Sequence, residues 1–283
     1  MMKSDGPFLG SADAYAPAQI AQRVRDVGVA KATAPTLTLL GLAVLAGAFI
    51  SLGALFYLVT ITSMAGAPAP AFGITRLLGG VAFSLGLMLV VIGGAELFTG
   101  NNLIAMAWAS GEISAGQVAR NWGWVYLGNL LGAVGTVLLV AGAGIHMLGD
   151  GAVGDTVAHI ARAKVGLTPS QVIFRGILCN VLVCLAVWLC MAARSVADKI
   201  LAILFPISAF VACGFEHSVA NMFLLPLGWF VMGADGASIG WLSIGANLLF
   251  ATIGNVIGGT LLVAMVYWFV YLRASGKRQG AMD

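Results

Sequence analysis

Six long apolar stretches, at roughly 37–61, 73–108, 121–146, 169–193, 199–232 and 239–272, leave this chain little to present to water. One membrane crossing takes about 20 apolar residues, and each stretch is long enough to supply one. Of the 283 residues, 60% are hydrophobic and only 9% are charged, where a soluble domain carries about a quarter charged. The solvent for most of the chain is therefore lipid. The 38 glycines agree with this, because small residues let helices approach closely inside a bilayer.

The second and fifth stretches are too long and too interrupted for single plain helices. The connection 147–168 begins GDGAVGD and continues TVAHIARAK, which reads as a short surface helix. The expected organisation is an N-terminal segment 1–36, one membrane domain 37–272 and a tail 273–283. MMKSDGPFLGSADAY lacks the apolar core of a secretory signal, so no cleaved leader is expected. The following APAQIAQRVRDVGVAKAT has helical apolar spacing. It suits either a helix lying on the membrane surface or a solvated amphipathic lead-in.

Basic residues orient the spans. With six crossings and a cytoplasmic N-terminus, ten fall inside: Lys3, Arg23, Arg25, Lys31, Arg120, Arg194, Lys199, Arg273, Lys277 and Arg278. Four fall outside: Arg76, Arg162, Lys164 and Arg175. The positive-inside rule then predicts both termini in the cytoplasm. No basic run or stripe offers a nucleic-acid surface. Cys179, Cys184, Cys190 and Cys213 all lie in apolar segments, without a CxxC pair or a histidine at ligand spacing. They read as buried small hydrophobes, and neither a metal nor a cofactor is expected.

The two halves of the chain repeat. Gly94-Ala95-Glu96-Leu97-Phe98-Thr99-Gly100-Asn101 and Gly214-Phe215-Glu216-His217-Ser218-Val219-Ala220-Asn221 share the pattern G-x-E-x-x-x-x-N. The third and sixth stretches share G-N-x-x-G, at Gly128-Asn129…Gly132 and Gly254-Asn255…Gly258. Three spans per half is an odd number, so the second half (about 169–272) runs inverted relative to the first (about 37–146). In such a repeat the substrate path lies where interrupted helices meet at the midplane. Backbone broken at that depth must be buried in protein or line a cavity.

Of three histidines, His146 and His159 lie at or beyond a span end, and only His217 lies deep in a stretch. An ionisable residue at that depth is a functional candidate by default, and imidazole changes charge near physiological pH. Glu96 and Glu216, with Asn101 and Asn221 beside them, read as structural. A carboxylate at a helix break can bind freed N–H groups and face the positive end of the next half-helix.

CGFEHSVANMF (Cys213 to Phe223), GGAELFTGN (Gly93 to Asn101) and NW…YLGNLLGA (Asn121 to Ala133) resemble the formate/nitrite transporter family over nearly the whole chain. The leading GPF and the VAKAT before the first span are similar to its formate-channel branch. The chain departs from that branch in having Glu96 where those channels have aspartate, and Gly100-Asn101 in place of a threonine-rich step. The resemblance implies an all-α, six-span, aquaporin-like fold with broken second and fifth helices. It also implies a homopentamer in the bacterial inner membrane, surrounded by lipid, each protomer with its own pore. Aquaporins carry Asn-Pro-Ala at both breaks, and this chain has neither.

By the same resemblance, His217 is the central pore histidine, hydrogen-bonding or protonating the passing anion. Asn180 is the pore amide near it, Thr99 faces it from the opposite repeat, and Lys164 is a vestibule cation that concentrates anions. Phe83, Leu87 and Phe210 match the constriction, with Leu97 and Phe98 in the loop beside them. The expected substrate is formate. Nitrite or hydrosulfide through the same fold, or a proton-coupled anion carrier, are the alternatives. An integral membrane enzyme is a distant one. It would need a nucleophile, a metal cluster or paired catalytic carboxylates facing one cavity, and the sequence offers one deep histidine and two carboxylates at symmetric structural positions.

Overall fold

The computed structural model describes residues 13–63, 71–233 and 239–273. The GPF motif, Lys3, Lys277, Arg278 and tail residues 274–283 lie outside them. The described residues form helices α1 (Pro17–Thr33), α2 (Thr36–Ile61), α3 (Phe72–Gly93), α4 (Ala105–Ala109), α5 (Ala115–Gly142), α6 (Ala152–Val165), α7 (Pro169–Ala192), α8 (Val196–Ala212), α9 (Ser218–Met232), α10 (Trp241–Val256) and α11 (Val266–Tyr271). A 3₁₀ turn, Gly100–Ile104, leads into α4, and a π-helical stretch, Ile257–Met265, joins α10 to α11.

Among the described residues five helices are long and apolar enough to cross a membrane: α2, α3, α5, α7 and the continuous run Trp241–Tyr271. The fifth apolar stretch divides into α8 and α9, of 17 and 15 residues. The starts of α5 and α7 are fixed by polar caps: Ser114 exchanges hydrogen bonds with Gln117, and Thr168 with Gln171. These caps satisfy N–H groups that have no partner within the helix.

Both long interruptions have the same cause. α3 ends on Gly94 (φ +78°) and α8 runs out at Gly214 (φ +72°), a left-handed conformation that costs glycine nothing. The G-N-x-x-G motifs bring neighbouring helices together. A Cβ on Gly132 of α5 would run into the Val44 carbonyl of α2. One on Gly258 would meet the Ile177 carbonyl of α7 in the same way. Backbones this close are the packing that small residues permit in lipid.

Helices α1 and α6 each turn one apolar face into the bundle. In α1, Ile20, Ala21, Val24, Gly28 and Ala32 are buried. These residues form apolar clusters with Leu103–Ala107, Trp188 and the last helix. α6 likewise buries Val153, Val157 and Ala161. Ala161 packs beside Leu225 of α9. Among the cysteines, Cys179, Cys184 and Cys190 are buried as expected, whereas Cys213, at the end of α8, is exposed.

Candidate pore site

Each break carries a similar framework of lysine, glutamate and asparagine, with one lysine–asparagine bond more at the first. At the first, Lys31 Nζ of α1 donates to Glu96 Oε1 (2.8 Å) and Asn101 Oδ1 (3.0 Å). Asn101 Nδ2 donates to Glu96 Oε2 (2.7 Å) and Asn121 Oδ1 (3.0 Å). At the second, Lys164 Nζ of α6 donates to Glu216 Oε1 (2.8 Å). Asn221 Nδ2 donates to Glu216 Oε2 and Asn247 Oδ1, both at 2.7 Å. The carboxylates are thus ion-paired and hydrogen-bonded, as buried charges must be.

Behind each carboxylate an asparagine clamps the broken backbone. Asn129 accepts from the Phe98 N–H (2.9 Å) and donates to the Ala43 (2.8 Å) and Glu96 (2.9 Å) carbonyls. Asn255 accepts from the Ser218 N–H and donates to the Gly176 and Glu216 carbonyls, all at 2.9 Å. Both amides are fully buried. The G-N-x-x-G motif therefore does two jobs: its glycines allow close packing, and its asparagine supplies the partners a broken helix lacks.

The two breaks meet where Thr99 Oγ1 lies 3.0 Å from His217 Nε2. Both residues are buried, at 0% and 2% exposure. His217 is the N-cap of α9, and its Nδ1 accepts the Ala220 N–H at 3.0 Å. An acceptor nitrogen carries no proton, so the proton of the neutral ring sits on Nε2, directed at Thr99. The Thr99 carbonyl accepts from Asn180 Nδ2 (3.2 Å) and Cys184 Sγ (3.4 Å) of α7. Asn180 Nδ2 also reaches Asn102 Oδ1 and the Asn255 carbonyl, while its buried Oδ1 has no hydrogen-bond partner among the described residues. Asn180 therefore sits beside the pair and joins both breaks.

A cavity approaches this pair from each side. One, of about 210 Å³, is lined by Phe83, Phe210, His217, Lys164, Glu216, Arg76 and Arg175 among others. The other, of about 250 Å³, is lined by Lys31, Leu87, Leu97, Glu96 and Asn101 among others. Phe83 meets Phe210 edge to face at 5.5 Å, and Phe210 stacks on the His217 ring at 5.7 Å. Phe83 and Leu87 stand one turn apart on α3, facing opposite cavities.

Phe98 lines neither of these two cavities. Its ring packs edge to face on Tyr126 (5.0 Å) and Trp122 (6.2 Å) of α5, because its backbone N–H is turned to Asn129 on the same helix. Four residues escaped the sequence reading: Lys31, Asn121, Asn247 and Cys184. The repeat held a signal for the two asparagines, since they stand 20 and 26 residues after Asn101 and Asn221 in the matched third and sixth stretches.

Helices broken inside an apolar bundle, two facing cavities and one buried polar contact between them define a multi-pass membrane protein of the transport class. The family model described as Formate/nitrite transporter matches residues 18–269. The formate channel FocA of Escherichia coli (strain K12) is 44% identical over 287 residues, spanning 96% of this chain and 98% of that protein. A solved pentameric formate channel with formate bound has a TM-score of 0.76 and 40% identity, covering 84% of this chain and 98% of its own. A solved FNT family ion channel has a TM-score of 0.79 and 31% identity, covering 89% and 98%. The chain belongs to the formate/nitrite transporter family, whose matched members are channels and transporters rather than enzymes.

Proposed function

We propose that this protein is a formate channel of the bacterial inner membrane, crossing six times as a 3+3 inverted repeat with both termini cytoplasmic. The matched framework at the two breaks supports the inverted repeat. The names of the similar channels support formate and a pentamer. In this orientation Lys164 faces outward and Lys31 inward, one cation at each mouth to concentrate anions.

The observation that carries the reading is the Thr99–His217 contact between the two cavities. With the ring proton on Nε2, an entering carboxylate can take over from Thr99 as its acceptor. The Thr99 hydroxyl can then donate to a second oxygen. A bare charge between Phe83, Leu87 and Phe210 is costly, and a neutral acid much less so. Transfer of a proton from Nε2 requires a ring that also holds one on Nδ1. That form forfeits the N-cap bond to Ala220. His217 therefore acts first as a hydrogen-bond donor, and the passing anion takes its proton from hydronium in the cavity water. Weak-acid anions qualify for this route and strong-acid anions do not.

The test is uptake of formate, nitrite and hydrosulfide into proteoliposomes at neutral and mildly acidic pH, with His217→Ala as control. Formate flux above empty liposomes that collapses in the variant is the expected result. Nitrite or hydrosulfide clearly ahead of formate replaces the substrate and keeps the mechanism. Uptake driven uphill by a pH gradient makes the protein a proton-coupled carrier. No flux of any of the three ends the channel reading.

A further inference from the structure

The end of α8 presents the carbonyls of Val211, Ala212 and Gly214 beside the cavity on the Lys164 side, and two arginines meet there. Arg76 of α3 donates from Nε to the Ala212 carbonyl (2.7 Å) and from Nη2 to that of Val211 (3.2 Å). Arg175 of α7 donates from Nη1 to the Gly214 carbonyl (3.4 Å). An atom at the Cβ position of Gly214 would stand 2.8 Å from Arg76 Nη2 and 4.0 Å from Arg175 Nη1. Two guanidinium groups from different halves of the chain thus converge on one residue without a side chain.

Carbonyl capping accounts for three of these contacts, and a guanidinium carries five N–H donors, so most donors of the pair are left over. Among the described residues neither arginine has an acidic partner, and the one carboxylate lining this cavity, Glu216, is bound to Lys164. Arg76, Arg175 and Lys164 against Glu216 leave the lining two positive charges in excess. Like charges gathered at a half-buried wall call for a counter-anion. The guanidinium fork matches a planar carboxylate in two parallel hydrogen bonds.

We propose that Arg76 and Arg175 form a second anion site, separate from the Thr99–His217 pair, that holds an ionised carboxylate and binds short dicarboxylates across both guanidinium groups. A dicarboxylate carries two charges to an apolar constriction that resists one, so it enters the cavity, stays there and blocks formate. The blocking rests on the channel reading; the binding does not.

Oxalate is the probe, titrated calorimetrically into the purified full-length protein. Arg175→Leu is the main variant, because Arg175 makes one long carbonyl contact where Arg76 makes two. Arg175→Lys keeps the charge and loses the fork, and thermal melting reports folding for both. We expect oxalate to bind the unaltered protein, and about tenfold or more weakly to Arg175→Leu, the scale of one charge-assisted hydrogen bond. Arg175→Lys should fall between them. In proteoliposomes oxalate should block formate uptake by the unaltered protein and spare Arg175→Leu. Oxalate that fails to bind at millimolar concentration, or binds a folded Arg175→Leu equally well, overturns the site. Arginine-dependent binding in a protein that carries no formate keeps the site and removes the channel reading.

Discussion

The break after α3 and the break after α8 are built alike and tipped differently. Each has a left-handed glycine, a lysine–glutamate pair, an asparagine on the carboxylate and a second asparagine clamping the backbone. Aligned on Glu96 and Glu216, however, His217 corresponds to Leu97, and Thr99 to Val219. The first break continues as a 3₁₀ turn into the five-residue α4, the second directly into the fifteen-residue α9 capped by His217. What the halves share holds two broken helices in place. What they do not share is the polar contact between Thr99 and His217.

That division predicts which substitutions act alike in both halves. Asn129→Ala and Asn255→Ala should be the most damaging. Each strips three hydrogen bonds from buried backbone, at about 1–3 kcal/mol per group left unpaired. Both should lower the melting temperature in detergent by similar amounts, and a harmless substitution at either site would break the equivalence. Glu96→Gln and Glu216→Gln come next, with an inequality. Lys164 and Glu216 are 15% and 2% exposed, against 27% and 11% for Lys31 and Glu96. Breaking the deeper pair should cost about 3 kcal/mol and the shallower one about 1–2 kcal/mol. Equal melting shifts would show that depth does not set the difference. Thr99→Val should have the smallest effect on stability, within about 1 kcal/mol, while formate uptake falls severalfold. Thr99→Ser keeps the hydroxyl and should restore uptake, which a purely steric role for Thr99 would not require.

Much of this was legible because membrane burial punishes exceptions. A carboxylate or histidine inside an apolar stretch stands out, so the paired G-x-E-x-x-x-x-N motifs located both breaks and singled out His217. Lys31 did not stand out, because a lysine in an amphipathic segment carries no mark of a partner 65 residues away. Nor does one offset relate the halves. Lys31 and Lys164 are 133 residues apart, Glu96 and Glu216 120, and Asn129 and Asn255 126, because connecting segments differ in length. The convergence of Arg76 and Arg175 was hidden for a similar reason: both counted only as basic residues on one side of the membrane. The side-chain direction of Phe98 depended on which way its backbone turned at the break, and the order of residues does not specify that.

The central claim is that function resides where the halves differ, and formate uptake by a reciprocal pair of variants tests it. His217→Leu gives the second break the residue of the first, and Leu97→His does the reverse. Measured in proteoliposomes at matched amounts of folded protein, His217→Leu should lower uptake about tenfold or more, the loss of a buried hydrogen-bond donor. Leu97→His should change it by no more than about twofold, since Thr99 and His217 remain. Full uptake by a folded His217→Leu protein would contradict the account, leaving the framework as architecture and placing the permeation step elsewhere.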